Sequence, residues 1–307
     1  MPKKNEKNLS KPVFTKGIRY LKGGMEGKEE TIKPISSLID SNVNDFIEIL
    51  NKSNKVDKVL SDMMTKDLLS EWNFMELPKS KFELILNSKV RKDLIYGCLH
   101  HGDKSNSSPL IIIPGFSDKS FGWTVGRINS NREKLHKKFS DIYIFDNSSI
   151  DKTPNNLEKS EEKIPQSVTY LEISKMYVEL IRSIIGDRNF SLLGRSAGGG
   201  ISLMIGMGDL SSKISELYLA APGYSLEYME SQDLSKLPKK LIVSHSINDQ
   251  KIKIDDPDGS IALCRLFKNN GDIPFEFQVV TSLSNEDGES GWLNHRITLE
   301  LIDRICK

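Results

Sequence analysis

Short apolar runs and longer amphipathic ones alternate along most of the chain from residue 79 onward. Phe82, Leu84 and Leu86 fall on every second position, which predicts a half-exposed edge strand. A second strand is predicted over 93–101. The run Pro109 to Pro114 (PLIIIP) is wholly apolar and short, as a strand buried on both faces should be. The same signal returns at 141–145 (DIYIF), 190–193, 216–220, 240–244 and 274–280. Between these lie helical spacings, the clearest being Ile164, Val168, Leu171, Met176, Leu180, Ile181 and Ile184. Two antiparallel-looking strands followed by about six βα units predict an α/β fold. The expected architecture is a mostly parallel, eight-stranded sheet with helices on both faces.

The first 78 residues have a different texture. Residues 1–30 are rich in Lys and Gly; through Lys28 they carry eight Lys/Arg against Glu6 and Glu26. A flexible, solvated basic tail is expected there, or else a basic arm that grips a membrane or RNA. Over 31–78 the spacing turns helical. Val43, Phe46, Ile47 and Leu50 share one face, and Val56, Val59, Leu60, Met63 and Met64 another. Trp72, Phe74, Met75 and Leu77 extend this small N-terminal helical segment as far as Pro78. Short helices with apolar stripes are not stable alone, so they must pack on the rest of the chain or form a homodimer interface.

Composition narrows the class. In 307 residues, 37% are hydrophobic and 28% charged, ordinary values for a soluble globular protein. Lys plus Arg is 43 and Asp plus Glu 42, a formal charge of +1 that gives no electrostatic reason to expect a nucleic-acid partner. No run approaches the roughly 18 apolar residues of a transmembrane helix. The charged N-terminus lacks the apolar stretch of a secretory signal. Cys98, Cys264 and Cys306 cannot all pair within one chain and form no CxxC, which fits free thiols in a reducing, cytoplasmic setting.

One motif carries chemistry. The apolar strand Phe190 to Leu193 runs straight into Gly194-Arg195-Ser196-Ala197-Gly198, and small residues follow. This is G-x-S-x-G at a strand-to-helix junction. A serine on such a turn holds its hydroxyl above the sheet in a strained backbone conformation. Side chains at Gly194 and Gly198 would meet the neighbouring strand and helix. The helix starting here also aims its N-terminal N–H groups at the serine, where negative charge develops in acyl transfer. With this motif in this context, residues 79–307 resemble an α/β-hydrolase catalytic domain of the serine esterase/lipase type, with Ser196 as nucleophile.

That resemblance implies a chain order of nucleophile, acid and histidine. The base should lie between the last strand and the last helix. Of His100, His101, His136, His245 and His295, only His295 does, in Gly-Trp-Leu-Asn-His ahead of Ile297 to Ile305. His100 and His101 are adjacent on a strand and face opposite ways, so they make no metal pair. His245 ends the strand before the acid loop and is expected to support the site. The loop His245-Ser-Ile-Asn-Asp-Gln-Lys-Ile resembles the family's acid loop with Asp249 in the catalytic place; Asp255, Asp256 and Asp258 are rivals. The oxyanion hole implied by the resemblance takes the N–H of Ala197 and that of Phe116, with Gly115 allowing close approach. Pro114 stands where many relatives carry histidine, and the HGGG run of one esterase branch is missing.

The resemblance thus implies a carboxylesterase-like serine hydrolase acting on a small ester or acyl substrate, with no cofactor and no metal. A non-catalytic binding protein, a peptidase and a thioesterase are the alternatives on the same fold. The span 221–238, where a lid usually sits, holds 18 residues, too few for a helical cap domain. Tyr224, Tyr228, Met229, Phe116, Phe121 and Trp123 line an apolar acyl pocket or belong to the core.

Overall fold

Leu110–Ile113 forms a strand, β5, in the middle of the main sheet, and alternation along it accounts for the two covering layers. Ile111 and Ile113 enter one apolar cluster; Leu110 and Ile112 enter another. Successive strand residues point to opposite faces, so an uninterrupted apolar run demands a cover on each side.

The structure, a computed structural model, describes residues 18–21, 72–77, 88–90, 94–100, 107–116, 120–145, 150–154, 166–270, 273–280, 295 and 297–307. The other strands are β1 (Ile18–Leu21), β2 (Trp72–Leu77), β3 (Ser88–Val90), β4 (Leu94–His100), β6 (Asp141–Phe145) and β7 (Ile150–Pro154). They continue with β8 (Phe190–Arg195), β9 (Ile214–Ala220), β10 (Leu241–Ser246) and β11 (Phe275–Val280). The helices are α1 (Ser120–Asn129), α2 (Arg132–His136), α3 (Gln166–Ile185), α4 (Ala197–Met207), α5 (Leu226–Glu230), α6 (Ser260–Asn269) and α7 (Leu299–Ile305).

Among the described residues the main sheet has nine strands, in the order β1-β11-β10-β9-β8-β5-β6-β4-β2. Neighbours pair in parallel from β1 to β6; β4 runs antiparallel to β6, and β2 antiparallel to β4. β3 and β7 form a separate two-stranded ladder. Buried residues of α3, α4 and α6 join Ile111, Leu192, Leu217, Val243 and Phe277 on one face. Those of α1, α2 and α7 join Ile112, Ile144, Tyr218 and Ile242 on the other. This mostly parallel sheet with helices on both faces is the α/β-hydrolase fold. No helix among the described residues is long and apolar enough to cross a membrane.

Two strands fall where other elements were expected. Ile18–Leu21, inside the stretch read as a basic tail, extends the sheet beside β11; with Trp72–Leu77 it joins seven of the eight expected strands. Trp72–Leu77, inside the segment read as helical, pairs with β4 from Trp72↔Leu99 to Leu77↔Leu94. Broken by Asn73 and Glu76, this short stretch carries no decisive period, and a partner strand further along the chain decides its shape. Trp72 is buried, and its indole N–H donates to Asn129 Oδ1 at the end of α1. The remaining helical pattern of 31–71 and the edge strand at Phe82 to Leu86 lie outside the described residues.

The tightest packing is at the start of α4, nearly all of which is buried. An ideal Cβ on Gly198 would lie 2.0 Å from the carbonyl oxygen of Ile113. Gly126, within α1, has nothing within 4 Å of the same position. Gly198→Ala should therefore destabilise the fold by about 3 kcal/mol or more, since the obstacle is sheet backbone that cannot give way. Gly126→Ala should stabilise it by about 0.5–1 kcal/mol by restricting the unfolded chain. Thermal unfolding checks both signs, and equal effects at the two sites would contradict this packing.

Candidate active site

The junction of β8 and α4 places Ser196 on a left-handed backbone, with φ 55 and ψ −129. Non-glycine residues adopt this region rarely, and only where the surroundings enforce it. Here the enforcement is visible. Ser196 N–H donates to Ala220 O at 3.0 Å, while its carbonyl accepts from Gly199 N and Gly223 N, both at 2.8 Å. An added Cβ on Gly194 would stand 2.4 Å from Ser202 Oγ and 2.7 Å from Gly199 Cα, so strand and helix meet with no room for side chains. The Ser196 hydroxyl does not cap the helix that follows it. Gly115 backs directly onto it, since a Cβ there would lie 3.1 Å from Ser196 Cβ and 3.3 Å from its Oγ.

His295 sits three residues ahead of Thr298, whose side chain accepts from Leu301 N–H and caps α7. Its Nδ1 lies 2.6 Å from Asp249 Oδ2, and both residues are buried. Only the protonated nitrogen can face a carboxylate this closely, so Nδ1 donates and Nε2 keeps its lone pair. Asp249 has both oxygens fixed. Oδ1 accepts from the N–H groups of Lys251 and Ile252 at 2.8 and 3.1 Å; Oδ2 faces His295 and, at 3.2 Å, His245 Nε2.

His245 is fully buried in turn. Its Nε2 lies 2.8 Å from Ile252 O, and a carbonyl and a carboxylate both accept, so this nitrogen carries the proton. Its Nδ1 faces Ser260 Oγ at 2.7 Å, where the hydroxyl can donate. The rival carboxylates are occupied elsewhere. Asp256 Oδ2 accepts from Lys253 N, Asp258 Oδ1 accepts from Leu226 N, and Asp255 is exposed. Of the candidates, Asp249 is the one brought to His295.

Burial raises the pKa of Asp249, but hydrogen bonds from His245 and His295, with their charges, outweigh it and hold the carboxyl well below its usual range. For His295, burial acts first and lowers the pKa. The bond and charge of Asp249 raise it, Arg195 and His245 lower it, and the net lies below the ordinary histidine value.

Arg195 has no counterpart in the sequence-based expectations, because the second position of G-x-S-x-G is unspecified. It is 2% exposed. Its Nε donates to His295 O at 2.8 Å and one terminal nitrogen to Ser120 Oγ at 3.0 Å. A single guanidinium thus ties the end of β8, the first residue of α1 and the backbone of His295 together. Phe116 is buried with its ring 6.0 Å from that of Tyr170, and Ala197 opens α4. Tyr224 and Met229 join the core cluster, Tyr224 donating its hydroxyl to Gly259 O. Of the aromatic and sulfur groups read as pocket or core, these and Phe116 are core; the side chains of Phe121 and Trp123 lie outside the described residues. The span 221–238 holds α5 and one 3₁₀ turn, Leu234–Lys236, and no cap domain.

The fold thus sets Ser196 on the turn after β8, Asp249 in the loop after β10 and His295 ahead of the last helix. No family model matches the chain, and no curated protein is found similar to it. Solved structures with a related chain path include a putative α/β hydrolase from Agrobacterium tumefaciens at 14% identity, covering 76% of this chain and 93% of that one with a TM-score of 0.49. A predicted CIB-like hydrolase from Thermoplasma acidophilum is 14% identical over 76% of this chain and 97% of its own, with a TM-score of 0.48. An α/β serine hydrolase without lid from Xanthomonas campestris is 14% identical over 77% and 92%, with a TM-score of 0.47.

Replacing Arg195 by Met removes a buried positive charge beside His295. The imidazole should then titrate at higher pH than in the unmodified protein, because a cation no longer disfavours its protonated form. Histidine-selective NMR titration reads this directly, and an unchanged midpoint in a folded variant would exclude the electrostatic role of Arg195.

Proposed function

We propose that the protein is a serine hydrolase that cleaves a carboxylic ester or related acyl bond through Ser196, His295 and Asp249. The observation that carries the reading is the buried 2.6 Å contact between His295 Nδ1 and Asp249 Oδ2, on a histidine tied through Arg195 to the elbow that bears Ser196. With Nδ1–H given to the carboxylate, Nε2 is left to take a proton. His295 then deprotonates Ser196 as its oxygen attacks the substrate carbonyl. The oxyanion is received by the N–H of Ala197, in the unsatisfied first turn of α4, and by that of Phe116, beside Gly115. Collapse of the tetrahedral intermediate expels the alcohol, protonated by the imidazolium, and leaves an acyl-enzyme; water repeats the cycle. Asp249 keeps its negative charge throughout and stabilises the imidazolium.

The short 221–238 span fits a site without a helical cap domain at that position. A small-molecule ester is therefore the substrate class we favour, and a cytoplasmic setting is consistent with three free thiols.

A fluorophosphonate should label Ser196 alone, lose its target in Ser196→Ala and react far more slowly with His295→Ala. Only neutral imidazole accepts a proton, so labelling rises with pH through the ionisation of His295. Its midpoint should fall below the ordinary histidine value of about 6.5 because burial depresses this pKa. A folded protein that takes no label and cleaves no ester, thioester or amide would instead be a binding protein.

Asp249→Asn should leave the fold intact and lower turnover by up to about 10⁴-fold, since an amide no longer fixes the productive tautomer. Asp255→Asn and Asp256→Asn should change turnover by less than about tenfold. Steady-state hydrolysis of an activated ester by the three variants decides which carboxylate acts.

A further inference from the structure

We propose that Cys98, His100 and Asp141 form a binding site for one divalent transition cation of the zinc type, clipping β4 to β6. The backbone alone gathers the three donors. Cys98 and His100 are two apart on β4 and so share a face, and Asp141 is the direct cross-strand partner of His100. The donor atoms all lie within 4.8 Å of one another.

The donors are gathered closely enough to share an ion, but the sulfur is nearly equidistant from both ring nitrogens, so the His100 ring must turn to aim one lone pair at an ion held by Cys98. Cys98 Sγ is 3.6 Å from His100 Nδ1 and 3.4 Å from its Nε2. Zinc bonds of about 2.3 Å to sulfur and about 2.0–2.1 Å to nitrogen, at a tetrahedral angle, place those atoms about 3.5 Å apart. His100 Nδ1 and Asp141 Oδ1 stand 2.8 Å apart, so this pair must also open to admit the ion. One sulfur, one nitrogen and one oxygen donor suit zinc; calcium and magnesium take oxygen alone.

The surroundings also divide the work. Asp141 Oδ2 accepts from Ser140 Oγ at 3.1 Å and lies 3.5 Å from an Arg188 nitrogen, which leaves Oδ1 toward Cys98 and His100. Such outer contacts orient a ligating carboxylate. Tyr143 forms a hydrogen bond with Cys98. The His100 side chain is 51% exposed, which gives an entry path and room for water as a fourth ligand. The site lies at the start of β6, whereas Ser196 follows the end of β8; these are opposite ends of the parallel sheet, so the cation has no part in the chemistry proposed for Ser196.

Without a metal, His100 and Asp141 are a hydrogen-bonded pair beside an inert thiol, since burial pushes Cys98 up to about 12. The two states are separable by cobalt, which shows a thiolate charge-transfer band only when sulfur binds it. The 307-residue chain, freed of metal by a chelator, should take up one equivalent of Zn²⁺ by calorimetry, and one of Co²⁺ with that band. Cys98→Ser should abolish the band, and His100→Gln, at a half-exposed position that the fold tolerates, should weaken Zn²⁺ binding more than about tenfold. Cys306→Ser should change neither. Uptake well below one equivalent, or uptake that His100→Gln leaves unaltered, overturns the proposal.

Discussion

The left-handed backbone of Ser196 is the constraint around which the rest of the structure is arranged. A non-glycine residue at φ 55 persists only if its neighbours leave no easier alternative. They do so by crowding. Gly194, Gly198, Gly199 and Gly200 each occupy a place where a Cβ would strike backbone, a proline or a tyrosine ring, so α4 lies directly against β5, β8 and the loop after β9. The apolar run of β5 is buried on both faces because that helix presses on one of them. The same contact sets Ser196 above the carboxyl ends of the parallel strands, where loops from β5, β9 and β10 converge.

Around that point the protein buries charges, and each is compensated differently. Asp249 would be costly to ionise in this setting if it stood alone. Two amides on one oxygen and two histidines on the other reverse the balance, so it stays anionic. His245 is part of that solution, as a buried donor held by Ile252 O and Ser260. Arg195 lies behind His295 and opposes its protonation, while Asp249 in front favours it. The imidazole is held between a cation and an anion in a place water scarcely reaches.

Much of this could be read from the chain. Runs such as PLIIIP and DIYIF leave few alternatives, because no other element buries both faces in so few residues. The glycines of the elbow were legible because they stand at a strand-to-helix junction of that alternation, and Asp249 and His295 were picked out only through the order that a resemblance to α/β-hydrolases implies. Illegible features depend on partners distant in sequence. Trp72–Leu77 becomes a strand because β4 offers it an edge. Cys98 and His100 acquire Asp141 only through the register of β4 on β6. Tyr224 and Met229 could line a pocket or fill a core on composition alone, and packing against α6 makes them core. Arg195 gives no signal at all, since any residue satisfies its place in the motif.

Arg195 also limits how far the elbow can be treated as a portable cassette. The five residues from Gly194 to Gly198 look self-contained, yet the guanidinium among them is anchored to a helix that starts 75 positions earlier and to a carbonyl 100 positions later. Grafted into a scaffold lacking those two acceptors, the segment would carry an uncompensated cation into an apolar interior. A designer borrowing this loop must transplant Ser120 and the chain around His295 with it, or replace the arginine by an uncharged residue.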